Sequence, residues 1–256
     1  MSPPENGDDL GPMQRAQRQM RPELPRRFYQ AATVADADGG ATVQLDGRSV
    51  RTPAKRLLVV PTAELAEAIA GEWRAQGERI DPASMPLTRL ANTVIDAVAE
   101  RMPEVRADAL NYAGTDLVCY RATHPAALVA LQARHWDPLL DWVRRVCGAA
   151  LVTTAGLGHQ PQPAATIDAI RSVLDGLDAF ALAGLHELTT LSGSLVIALA
   201  IREDEIDTEA GWAAAHVDED WQVSQWGEDF EASERRKIRR RDFEAAARLI
   251  RLAGRE

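Results

Sequence analysis

The 256-residue sequence predicts an α+β protein, a small N-terminal antiparallel β domain followed by a larger, mostly α-helical domain. Two observations carry this. Up to Pro61 the apolar residues alternate or form short runs between Asp-Gly turns, whereas beyond it they recur every three or four positions. The composition, 46% hydrophobic and 26% charged, supplies a core and rules out a disordered chain or a collagen-like repeat. The boundaries that follow are a flexible tail at 1–24, a β-rich domain with one helix at 25–84, and an α-helical domain at 85–256.

Phe28 to Val34 is a β-rich run that stops at Asp38-Gly39-Gly40. Ala41 to Leu45 alternates and meets Asp46-Gly47, a dipeptide that tolerates the positive φ of a tight hairpin. Ser49 to Thr52 is expected to return, and Leu57 to Val60 to follow as a buried strand ended by Pro61. Thr62 suits the N-cap of a helix whose Leu65, Ile69 and Trp73 fall on one face. Pro86 opens a second helix, with Leu87, Leu90, Ala91, Val94, Ile95 and Val98 on its apolar side, and Pro103 a third. Asp137-Pro138 reads as the cap and first turn of a helix that Gly148 stops. Residues 152–163 read as a loop. Ile167, Ile170, Leu174 and Leu177 make an amphipathic helix, and Leu185 to Ile201 reads as one long apolar helix with Ser192-Gly193-Ser194 inside it. Asp207 or Thr208 caps a helix running through Val217 and Trp221, and a last helix covers Arg239 to Leu252.

Several function classes drop out. A net charge of −9 disfavours nucleic acid as a partner. No run approaches the ~18 apolar residues of a membrane span, so no membrane insertion is expected. The N-terminus lacks a signal-peptide core; residues 13–27 carry several Arg, as a transit peptide would, but Asp8-Asp9 argues against one. The expected compartment is therefore the cytoplasm, or the mitochondrial matrix if a transit peptide were present. Cys119 and Cys147 sit in apolar, helix-like settings and read as free, buried thiols. There is no GxGxxG after a strand, no phosphate loop and no GxSxG elbow, and the histidines lack metal-pair spacing. No cofactor, metal or small-molecule substrate is expected.

The charge pattern near the C-terminus is more informative. Eleven acidic residues and one basic residue lie between Arg202 and Glu231, followed by six basic residues at 235–237 and 239–241. His216-Val217-Asp218-Glu219-Asp220 invites a second reading, a carboxylate- or metal-dependent enzyme using segment 216–229. Consecutive helical residues, however, point about 100° apart and do not converge on one ion. The basic run admits an RNA-binding reading, weakened by the absence of interleaved aromatics. Trp73, Trp136 and Trp142 read as structural core residues, while Trp221 and Trp226 sit within the acidic segment, where an interface role competes with packing.

Several stretches, in order, resemble a known family: RRFYQ (Arg26 to Gln30), LDGRSVRTP (Leu45 to Pro53), EWRAQ (Glu72 to Gln76), MPLTRLANTVID (Met85 to Asp96), NYAGTDLVCYR (Asn111 to Arg121), WDPLLDWV (Trp136 to Val143) and WQVSQWGED (Trp221 to Asp229). The chain resembles the assembly chaperones of the catalytic sector of F-type ATP synthase, specifically the ATP-twelve type that attends the alpha subunit. The resemblance implies a β domain with a helical domain, no catalytic activity, no cofactor, and the ATP synthase alpha subunit as partner, held soluble until beta claims the same surface. It also implies importance for an acidic residue just before the aromatic-Gln…Trp-Gly motif, a place filled here by Asp218 with Glu219 beside it. The partner-binding residues expected on this basis are Asp218, Glu219, Trp221, Gln222, Trp226 and Glu228. Mitochondrial members carry a His-Asp pair after the Trp-Gly motif; here Ser233-Glu234 stand nearby, and no function is carried over to them.

Overall fold

In a computed structural model, residues 23–156 and 158–254 are described. Most of the expected tail and all of the acidic pair Asp8-Asp9 lie outside them. The chain opens with antiparallel strands β1 (Ala32–Ala37), β2 (Gly40–Leu45), β3 (Arg48–Ser49) and β4 (Val59–Val60). Strand β2 is central, with β1 on one side in register Ala32 to Leu45 and both β3 and β4 on the other. Helix α1 (Ala63–Arg74), capped by Thr62, packs on this sheet. The helical body follows: α2 (Pro86–Asp96), α3 (Met102–Gly114), α4 (Ala126–Cys147), α5 (Ala164–Asp175), α6 (Ala179–Ser192), α7 (Leu195–Arg202), α8 (Thr208–Ala215), α9 (Val217–Trp226) and α10 (Phe230–Ala253). A two-residue parallel pairing, β5 (Tyr120–Arg121) with β6 (Thr154–Ala155), lies within it. The α+β class with a leading antiparallel sheet stands as expected.

Several boundaries differ from the sequence reading, each for a physical reason. The first strand begins at Ala32, not Phe28, because side chains satisfy the backbone before it. The Arg27 guanidinium donates to the carbonyls of Tyr29, Gln30 and Gln76, and the Asp46 carboxylate accepts from the N–H groups of Gln30 and Ala31. The return strand is short, since the chain turns away from β2 after Val50 to form a small loop closed between Thr52 and Arg56. Asp137-Pro138 does not start a helix: α4 begins at Ala126 and runs through Pro138. Interior proline ordinarily breaks a helix, but here Trp136, Leu139, Leu140, Trp142 and Val143 are buried on both sides of it, and Asp137 pairs with Arg121 at 2.8 Å instead of capping.

The single helix expected over Leu185 to Ile201 is two helices. Gly193 adopts φ 72°, the left-handed conformation that ends α6, and the Ser194 hydroxyl caps α7 by accepting from the Ile197 N–H at 3.0 Å. The serines are thus a helix stop and start. Likewise, the helix expected through Val217 and Trp221 breaks at His216 into α8 and α9. The last helix starts at Phe230 rather than Arg239, its first turn capped by Asp229. Sheet and helices share one cluster of buried apolar side chains, to which α6 and α7 contribute eight fully apolar-packed residues from Leu182 to Leu199 with no measurable exposure. We propose the division into units at 84/85 from the change in hydrophobic period alone; the Thr62 hydroxyl ties the two parts by donating to the Leu252 carbonyl.

Candidate functional site

The stretches that resemble a family are mostly pinned to one another through carboxylates. Glu72 of α1 accepts from the N–H groups of Leu87 and Thr88, and from the Thr88 hydroxyl, so it caps α2 from another helix. Burial raises its carboxyl above the ordinary value despite these bonds. Asp96 of α2 accepts from the Thr52 hydroxyl at 2.6 Å and the Ala54 N–H at 3.0 Å. Asp116 is wholly buried and accepts from the N–H groups of Val118 and Val196, at 3.2 and 3.0 Å. It thereby satisfies a buried N–H at the start of α7 that has no partner within the helix. Burial pushes its carboxyl up to about 6, against the hydrogen bonds that pull it down. Sequence reasoning did not single out Asp116; an Asp immediately before Leu117-Val118-Cys119 was an available N-cap signal.

The aromatic residues expected to be structural occupy different depths. Trp136 is fully buried, and its indole N–H donates to the Ala214 carbonyl at 2.8 Å. Trp142 is also buried, whereas Trp73 is half-buried and packs edge-on against Tyr29. Cys119 is buried and its thiol is pushed up to about 12 by burial, so it is chemically quiet; Cys147, at the end of α4, is only half-buried.

The acidic segment behaves differently. Asp218, half-buried on α9, accepts at 2.7 Å from the amide of Gln132 on α4, whose oxygen in turn takes the Ala122 N–H. Glu219 lies 3.8 Å from the buried ring of His216. That ring stacks on Trp212 and donates from Nδ1 to the Trp212 carbonyl, and burial holds its pKa below the ordinary imidazole value. Asp220 is ion-paired with Arg236. The three consecutive carboxylates therefore diverge onto three different partners, and no group of three His, Cys, Asp or Glu side chains able to hold a metal occurs among the described residues. The basic run is likewise engaged within the fold. Arg235 and Lys237 pair with Glu231 and Glu234, Arg240 with Glu209 and Glu244, and Arg239 donates to the Leu191 carbonyl.

What this segment leaves open is apolar. Trp221 is half-buried and Gln222 and Glu228 are exposed, while Trp226 and Phe230 are each 78% exposed on either side of the α9–α10 turn. Ile238 on α10 is also exposed. A last helix beginning at Arg239 leaves out Phe230 and Ile238; the Gly227-Glu228-Asp229 stop-and-cap pattern is the local signal for the earlier start.

Comparison with known proteins identifies the family. A model of the ATP12 chaperone protein family matches residues 26–144. The crystal structure of Atp12 from Paracoccus denitrificans aligns with a TM-score of 0.85 at 41% identity, covering 90% of this chain and 99% of that one. The chain belongs to the ATP12 chaperone family. The Atu1473 protein of Agrobacterium tumefaciens aligns with a TM-score of 0.87 at 45% identity, covering 96% of this chain and 93% of that one. Protein atp12, mitochondrial, of Schizosaccharomyces pombe is 24% identical over 214 residues, 79% of this chain and 74% of its own length. An ATP12-family chain is a molecular chaperone of ATP synthase assembly and not an enzyme, so the reading of segment 216–229 as a catalytic site is set aside. Among the described residues, no helix is long and apolar enough to cross a membrane.

Proposed function

We propose that this ATP12-family chaperone binds the unassembled alpha subunit of the catalytic sector of F-type ATP synthase in the cytoplasm and keeps it soluble until it pairs with beta. Asp218, Glu219, Trp221, Gln222, Trp226 and Glu228 form part of the contact, joined by Phe230. The observation that supports this surface is the pairing of large, exposed aromatics at the α9–α10 turn with carboxylates at 218, 219 and 228. Isolated apolar residues are ordinary on protein surfaces, but a tryptophan and a phenylalanine both exposed at the two ends of one turn are the composition of an interface anchor. A subunit destined for a ring exposes apolar interface when alone, and such surface aggregates unless covered. An apolar anchor rimmed by charge covers that surface and still allows displacement by a partner with a larger interface.

Co-expression tests the reading. Alpha alone is expected to become soluble and co-purify with the chaperone, and beta alone is not. Asp218→Lys is expected to leave the fold intact and weaken alpha binding. A folded Asp218→Lys protein that retains alpha normally removes Asp218 from the contact, and failure to solubilise alpha removes the proposed client.

A further inference from the structure

We infer a second docking site, on the β domain, for an acidic peptide segment bearing one large apolar side chain. A recess of about 570 Å³ opens beside the β2–β3 hairpin. Its apolar lining comes from Tyr29, Leu45, Val50 and Trp73, and Phe28 at its edge is 73% exposed. The Phe28 ring stands edge-on to Tyr29 at 5.4 Å, and Tyr29 stands edge-on to Trp73 at 5.6 Å, so three aromatics run from the exposed edge inward. The Trp73 indole N–H has no hydrogen-bond partner.

Charge selects the occupant. In a chain of net charge −9, the stretch from Leu45 to Arg56 holds four basic residues, at 48, 51, 55 and 56, against Asp46 alone. Arg56 is paired with Glu100. Arg48 and Arg51 line the recess, are exposed, and have no carboxylate partner among the described residues; Arg51 donates only to the Lys55 carbonyl. Asp46 also lines it, but its oxygens accept from the Gln30 and Ala31 N–H groups, which hold its carboxyl below the ordinary value. Leu57, bridged to Arg51 across the adjoining hairpin, is 47% exposed and extends the apolar surface on the same face. An aromatic-lined recess with two guanidinium groups at its edge that have no carboxylate partner among the described residues fits an apolar side chain flanked by carboxylates. It is separate from the α9–α10 surface and does not depend on it.

The test uses the full chain and a fluorescein-labelled acidic pentapeptide with a central phenylalanine, read by fluorescence anisotropy. Saturable binding is expected. It should weaken about tenfold with Arg48→Glu combined with Arg51→Glu and several-fold with Phe28→Ala, all surface changes checked for an unaltered fold by circular dichroism. Trp226→Ala should leave it unchanged. The inference is overturned by the absence of saturable binding, by equal binding of a basic or alanine-centred pentapeptide, by wild-type affinity in the variants, or by preferential binding of oligouridylate. Co-purification of the alpha subunit is scored separately, so that either site can fail alone.

Discussion

Glu72 and Asp116 place their oxygens on backbone N–H groups of another segment, Leu87 and Thr88 in one case and, beside the neighbouring Val118, Val196 in the other. Trp226 and Phe230, by contrast, stand 78% exposed at the α9–α10 turn. Both regions contain stretches that resemble the same family, yet one holds the molecule together and the other faces outward. The family match at 26–144 covers the first region and ends before the second. Resemblance alone therefore does not separate a cap from a contact; the destination of each polar atom and the exposure of each ring do.

If that division is right, the first region should respond in stability. Asp116→Ala removes the acceptor of two buried N–H groups and should destabilise the chain by about 3 kcal/mol in urea unfolding. An effect below about 1 kcal/mol would break the comparison at its strongest point. The same residue makes a pH prediction. Folding raises its carboxyl from 3.8 to about 6, so the folded state holds the proton more tightly than the unfolded state. Its contribution is fully present below the unfolded value and is lost as pH rises through about 6. Between pH 3.5 and 7 the wild type should lose about 3 kcal/mol relative to Asp116→Asn, a figure that follows from roughly two pKa units. Parallel profiles for the two proteins would contradict the raised value of the buried carboxyl.

A smaller loss is expected for Glu72→Ala, about 1 kcal/mol or slightly more, as for other helix caps. Unfolding should show it while alpha binding persists. The smallest stability effect, within about 0.5 kcal/mol, is predicted for Trp226→Ala combined with Phe230→Ala, because neither ring is packed. Retention of the alpha subunit in co-purification should nevertheless fall at least tenfold, in the range of a lost aromatic anchor. A double variant that unfolds, or one that binds normally, would erase the contrast between the two regions.

Much of the fold was legible in the sequence because its signals are local. Thr62 before an apolar-periodic run and Pro86 at a helix start act through their own first turn, and the structure places helices there. The backbone of the Asp46-Gly47 turn is likewise a local feature, with φ of 48° and 80°. Of the candidate site, the acidic and aromatic composition of 218–228 was legible, but the exposure of Phe230 and Ile238 was not, because it depends on where α10 leaves the body.

Sequence by itself thus determined the order of β unit and helices, the absence of a membrane-length apolar run, and the family resemblance, all properties of residues close along the chain. Tertiary structure decided that Pro138 lies within a helix, since burial of Trp136 and Val143 outweighs one missing N–H. It also decided that Asp220 neutralises Arg236 while Asp218 holds Gln132, pairings across 16 and 86 residues. The physical reason is common to these cases. Burial and long-range pairing depend on which surfaces meet, and no local window of the chain contains both surfaces.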